Sequence, residues 1–313
     1  MSSLTVYVDA MTALQFERYA ARKSIVGTNT RIHRALPNAR RRSVGAWCFL
    51  DHVGPVSFEP GQGLHVGPHP HIGLQTFTWM IEGEIMHRDS LGNEQIIYPG
   101  QVNLMTSGNG VCHTEDSIRD GTPMHAAQLW IALPESRRHG PADFANYADI
   151  PEFTVNGVTV KVLAGELAGH RSPAEIYSPL IGADFSSTDD AGAIGIDLQP
   201  GFEYGFMLLY GHAEIGNESV QTGELLYLAP GAEALQIRLD ANSRLLMVGG
   251  EPIDPPLIWW NFVAKTQDEL MQAIQDWNER TSRFPPPVPG STAPELKAPA
   301  IESIRIKTAP DAY

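Results

Sequence analysis

From about residue 74 the apolar and polar positions run in short alternating stretches broken by turn residues: LQTFTWMI, EGE, EIMHRD, SLGN, EQIIY, PG and QVNLM. A period of two over four to eight residues places alternate side chains on opposite faces of a strand, so the segment predicts a β-meander. HAAQLWIALP, FTVNGVTVKVLAG and AIGIDLQPG continue that pattern, and Asn156–Gly157 predicts a tight hairpin turn. The only strong helical period is TQDELMQAIQDWNER. There Thr266 and Glu269 read as a capping box, and Leu270, Ile274 and Trp277 share one face. The following FPPPVPGSTAPELKAPA is proline-rich and predicts a segment that lies extended over the surface or stays loose.

The strand pattern repeats itself. IEGEIMHRDSLGNEQIIYPGQVNLMTSG resembles LYGHAEIGNESVQTGELLYLAPG, with the same spacing from Gly100 to Gly108 as from Gly223 to Gly231. Two related β-barrels are therefore expected, in keeping with a 313-residue chain and domains of ~150 residues. The first copy is flanked by GPHPH and GVCH, whereas the second has no histidine pair.

Composition narrows the function classes. The chain is 42% hydrophobic and 19% charged, and no apolar run approaches the ~20 residues of a membrane span. A formal charge of -14 repels a phosphate backbone, which argues against nucleic-acid binding. The cluster Arg40, Arg41 and Arg42, with Arg31 and Arg34 upstream, reads as a solvated stretch paired with the acidic majority. Cys48 and Cys112 are too few for a disulfide framework and fit a reducing compartment, and the first residues make a poor secretory signal.

The histidine spacing carries the chemistry. Side chains at i and i+2 of a strand project from one face, so His69 with His71, and His113 with Glu115, can converge on one point inside a barrel. Three imidazoles and a carboxylate would leave coordination positions open for substrate or oxygen. Cys112 should face the other way. If alternation persists past His71, Gln75, Phe77 and Trp79 share the ligand face, with Met105 from the returning strand. These four are the candidate pocket walls, against the plainer reading that they pack the core. His52, His65, His87 and His125 lack a paired spacing and are expected to be hydrogen-bonded or exposed.

RRRSVGAWCFLDHVGP, HPHIGLQTFTWMIEGEIMHRDS, PGQVNLMTSGNGVCHTE and HAAQLWIALP together resemble the pirin family of the cupin superfamily, over about residues 30 to 283. The resemblance implies an all-β bicupin: two cupin (jelly-roll) barrels in tandem with a C-terminal helix. Residues 1–140 would form the metal-binding domain and 141–283 a degenerate cupin, with 284–313 as a tail. It implies one Fe(II) on His69, His71, His113 and Glu115, although other divalent metals also suit those ligands. It further implies a dioxygenase of the quercetin 2,3-dioxygenase type that opens a flavonol with O2, Glu115 serving as both ligand and base; a cytoplasmic location, from the cysteine usage, and a monomer are expected alongside. Two alternatives keep the same ligands: an iron-dependent redox sensor or transcriptional co-regulator acting through a protein partner, and a metal-dependent isomerase. The chain departs from the family at Gln75, where a glutamate is usual, which removes one negative charge near the metal.

Overall fold

The computed structural model describes residues 14–27 and 30–301; expectations that fall on the first 13 residues or on 302–313 lie outside the described residues. Two barrels account for nearly all the strands. In the first, a seven-stranded antiparallel sheet runs in the order Asp143–Tyr147, Val102–Thr106, Leu74–Glu82, Pro123–Ala132, Trp47–Ser57, Thr30–Leu36, Arg22–Val26. It faces a four-stranded sheet ordered His65–His71, Val111–Ser117, Ile85–Asp89, Glu94–Ile97.

The second barrel repeats this arrangement strand for strand. Its larger sheet is Phe16–Ala20, Glu224–Leu228, Glu203–Tyr210, Arg244–Gly250, Leu180–Ser186, Val158–Ala164, Glu152–Val155. Its smaller sheet is Gly192–Asp197, Ala234–Leu239, Ala213–Ile215, Glu218–Val220. Asn156 and Gly157 both have positive φ, 45° and 80°, as the tight turn between Glu152–Val155 and Val158–Ala164 requires.

A contiguous division of the chain does not describe these barrels. Phe16–Ala20 precedes the first barrel in sequence yet pairs with Glu224–Leu228 in the second, and Asp143–Tyr147, beyond residue 140, closes the first sheet. The two large sheets bury a shared apolar layer that includes Trp47, Phe77, Trp79, Leu163, Met207 and Leu246. Trp47 Nε1 donates to the oxygens of Ile181 and Gly249 at 3.0 and 3.2 Å, and Trp79 Nε1 donates to Asp184 at 3.0 Å. Both of these indole N–H groups thus find their acceptors on the other barrel.

After Gly250 the chain returns to the first barrel. Phe262 bridges Ile72, and the helix Gln267–Asn278 buries Leu270, Ala273, Ile274 and Trp277 in a cluster with Ile72, Cys112 and Phe262. Thr266 caps the helix by accepting from Glu269 N–H. The Glu269 carboxylate accepts from Lys265 N–H, one residue before the cap, and also holds Arg138. The proline-rich segment is extended and tied down through residue 301. Leu296 N–H donates to Pro68 O at 3.0 Å, Val288 N–H to Asp89 O at 3.1 Å, and Trp277 Nε1 to Leu296 O at 2.8 Å. It lies so close to the first barrel that a Cβ at Gly67 would stand 1.9 Å from Pro294 O.

Candidate metal centre

Strands His65–His71 and Val111–Ser117 pair antiparallel with His69 opposite His113. Nitrogens of His69, His71 and His113 lie within 4.8 Å of one another, and all three residues are buried. The remaining ring nitrogens show which tautomer each imidazole holds. His69 Nδ1 donates to Gly67 O at 2.9 Å and His71 Nδ1 to Asn261 O at 3.0 Å. His113 Nδ1 lies 3.2 Å from His87 Nδ1, and His87 Nε2 lies 3.1 Å from Asp89. With His87 donating to Asp89, its Nδ1 accepts from His113. Each Nδ1 in the triad therefore carries the proton, and each Nε2 presents a lone pair.

His71 Nε2 and His113 Nε2 are 3.1 Å apart. Two lone pairs at that distance repel, and a shared cation removes the conflict, so the donor set fits a metal ion. Burial also keeps the rings neutral, the ligating form: it lowers His69 to about 4 and holds His71 and His113 well below the usual imidazole range.

Glu115 stands apart from this triad. The pairing slips between His113 and Glu115, which sits opposite Val66. Its side chain lines the same cavity as the three imidazoles, and burial, with Asp116 beside it, raises its carboxyl to about 7.

The cavity measures about 390 Å³ and is walled by Phe49, Trp130, Thr76 and Thr78, with Trp260 and Leu296 from the returning segment and the exposed Ile25 at its rim. Gln75, Phe77 and Trp79 do not line it. Gln75 Nε2 donates to Thr106 Oγ1 and Glu175 O, while Phe77 and Trp79 pack in the layer between the barrels. The reason is Gly73. At φ +69°, with Val263 O only 2.2 Å from where a Cβ would be, it turns the chain from the small sheet into the large one and shifts the alternation by one residue. His69 and His71 face inward at odd positions, and even positions do so from Leu74 onward. Met105 is buried beside Thr76 and is not part of the cavity wall.

Sequence reasoning also missed three contributors. His87 is hydrogen-bonded as expected, but its partner is a triad member, and it stacks on Phe144 at 4.4 Å. Asn261 acts through its backbone, which carries no side-chain signature. Arg34 is not a solvated charge: it lines the cavity and grips Asp51, which is 2% exposed, through two bonds of 2.7 and 2.6 Å. His52 and His125 hydrogen-bond each other at 2.9 Å, and His65 bonds Asp116 and Asp120. In the second barrel, the strands equivalent to those bearing the triad bury Ile194, Ile196, Leu235, Ile237 and Leu239. Aliphatic side chains fill the place where the first barrel gathers imidazoles.

Two stacked jelly-roll barrels, one with a buried three-histidine centre and one filled with aliphatic residues, define a bicupin with a single candidate metal site among the described residues. Family models agree: Pirin matches residues 29–131, and the Pirin C-terminal cupin domain matches 185–284. A Pseudomonas aeruginosa protein named "Putative quercetin 2,3-dioxygenase" is 49% identical over 91% of this chain and 90% of its own length. A Caulobacter vibrioides "Pirin-like protein" is 34% identical over 85% of this chain and 94% of its own. A crystal structure of quercetin 2,3-dioxygenase from Acinetobacter baumannii superposes with a TM-score of 0.90 at 44% identity, covering 94% of this chain and 98% of that one. The chain belongs to the pirin family.

Proposed function

We propose that the protein is an iron-dependent dioxygenase that opens a flavonol such as quercetin, incorporating both atoms of O2 and releasing carbon monoxide. The observation that carries this reading is the cavity: about 390 Å³ in front of the triad, with an aromatic wall of Phe49 stacked on Trp130 at 3.9 Å. A flat aromatic substrate needs such a wall. A protein that reported its metal's redox state through its surface would not, so the cavity favours the enzyme over the sensor. The names of the relatives support the same choice.

His69, His71 and His113 would hold the metal through Nε2, with Glu115 as the proposed fourth ligand. Bound there, Fe(II) supplies Lewis acidity toward the 3-hydroxyl and a one-electron couple for O2. The chain's own residues do the rest. Phe49 and Trp130 orient the substrate plane, Leu296 and Trp260 exclude water from one side, and Glu115 accepts the hydroxyl proton on a carboxylate oxygen.

The test is Glu115→Gln compared with the parent at equal iron occupancy, following flavonol bleaching and carbon monoxide release. General-base catalysis contributes ~10²- to 10⁴-fold, and a loss of that size with iron retained is expected. Undiminished turnover would remove Glu115 as the base. A parent that consumes no flavonol would remove the dioxygenase assignment.

A further inference from the structure

The first barrel carries a row of polar side chains across the floor of its cavity. Arg34 pairs in register with Asp51, Asp51 with Gln128, and Gln128 with Thr78, so the four stand side by side on neighbouring strands, and all four line the cavity. Two residues along the same strands lies the aromatic row of Phe49 and Trp130, about 7 Å nearer the triad on a strand rise of ~3.4 Å per residue. The surfaces are continuous. His71 meets Trp130 edge-on at 5.3 Å, Trp130 stacks on Phe49 at 3.9 Å, and the Arg34 guanidinium sits 4.4 Å over Phe49. An aromatic shelf thus runs from a candidate metal ligand to a fixed cation.

We propose that this row recognises the end of the substrate remote from the metal, and that the substrate is a planar aromatic bearing acidic, phenolic oxygens at that end. The proposal rests on the dioxygenase reading above and adds what orients the ligand. Arg34 commits Nε and Nη2 to Asp51, which locks the guanidinium and leaves its other N–H groups for an oxygen in the cavity. Thr78 Oγ1 donates to Gln128 Oε1 at 2.7 Å, which turns the Gln128 amide so that its NH2 is the group left to donate. The row therefore offers hydrogen-bond donors, and an acidic oxygen is what donors select.

Folding does not account for the row. A buried ion pair rarely stabilises more than apolar residues of similar size. The second barrel makes the point within the same chain: on its equivalent strands the inward row is Val160, Phe185, Leu245 and Leu208, wholly apolar and buried. The fold is satisfied by aliphatic and aromatic side chains there, so the polar row of the metal-bearing barrel serves a ligand.

The experiment measures anaerobic binding of quercetin, which is hydroxylated on its outer rings, and of 3-hydroxyflavone, which is not, to the iron-loaded protein by tryptophan fluorescence. Three proteins are compared: the parent, Gln128→Met, and the double variant Arg34→Leu with Asp51→Leu, which removes both charges together. The parent should prefer quercetin. Both variants should keep parental iron content and bind quercetin about tenfold or more weakly, with little change for 3-hydroxyflavone. If the variants keep the parental preference, the row is not the recognition point, and Gln128→Met decides this even if the double variant folds poorly. A parent that shows the preference and loses it in the variants, yet releases no carbon monoxide in air, would support the row and sink the dioxygenase reading. A parent that binds neither flavonol overturns both.

Discussion

The Nδ1–H of His71 is held by the backbone oxygen of Asn261, 3.0 Å away and 190 residues further along the chain. The orientation of a candidate ligand in the first barrel therefore depends on the segment that follows the second. Asn261 comes just after Trp260, whose φ of 52° turns the backbone there, and Phe262 bridges Ile72 beside the ligand. The helix and the proline-rich segment hold this return in place.

A chain ending at residue 283 is expected to stay folded while holding its metal less firmly. It keeps every proposed ligand but loses the Leu296 contact to Pro68 and the acceptor of Trp277 Nε1. Outer supports of metal ligands are typically worth about 10- to 100-fold in affinity, so release of the bound metal to a chelator should quicken by about tenfold or more. Unchanged release would mean that the segment covers the site without supporting it.

His69→Ala and His113→Ala should each abolish stoichiometric metal binding and leave a folded β-protein, because the apolar layers between and within the barrels do not include those side chains. His212→Ala in the second barrel should retain full metal, since His212 bonds Ser219 and Asp240. Metal analysis and circular dichroism on the same samples check both halves of this expectation.

Cys112→Ser should keep its capacity for metal and lose stability. Cys112 is adjacent to His113 but packs on the opposite face with Ile72, Phe262 and Trp277, where burial pushes its thiol up to about 12 and keeps it protonated. A hydroxyl placed there without a partner costs about 1–3 kcal/mol. The comparison is a denaturant midpoint against metal content, and a collapse in iron affinity would contradict the facing of the strand.

Acid should destabilise the protein through His52 and His125, which hydrogen-bond each other between the barrels near His33, Tyr210, Arg244 and Asp184. Burial lowers His52 to about 3 and His125 to about 4. The unfolded chain takes up these protons near pH 6.5 and the folded chain does not, so stability present above 6.5 is lost as pH falls toward 4. For His52 the loss between pH 7.5 and pH 5 is about 2 kcal/mol. The double variant His52→Leu with His125→Leu should show a flatter dependence of unfolding free energy on pH across that window.

The sequence by itself determined many of the strands from about residue 74 onward, the double-barrel plan and the three histidines of the candidate metal centre, because each of these rests on local periodicity. Alternation reports strands, i and i+2 spacing reports a shared face, and the repeated glycine spacing reports two copies of one sheet plan. What tertiary structure decided lies wherever the period is broken or a partner is distant. One glycine, Gly73, moved Gln75, Phe77 and Trp79 out of the cavity and put Thr76 and Thr78 in, since a bend between sheets reverses every face beyond it. The slip beside His113 set Val66 opposite Glu115, which still lines the cavity, while only the three histidines bring their ligand nitrogens within 4.8 Å of one another. Phe16–Ala20 entered the barrel farther from it in sequence, because a strand's edge pairs with whichever edge is open and complementary. Arg34 reads as a surface charge until Asp51 is seen beside it, and the Asn261 carbonyl has no residue type to betray it, so both became visible only once distant parts of the chain were packed together.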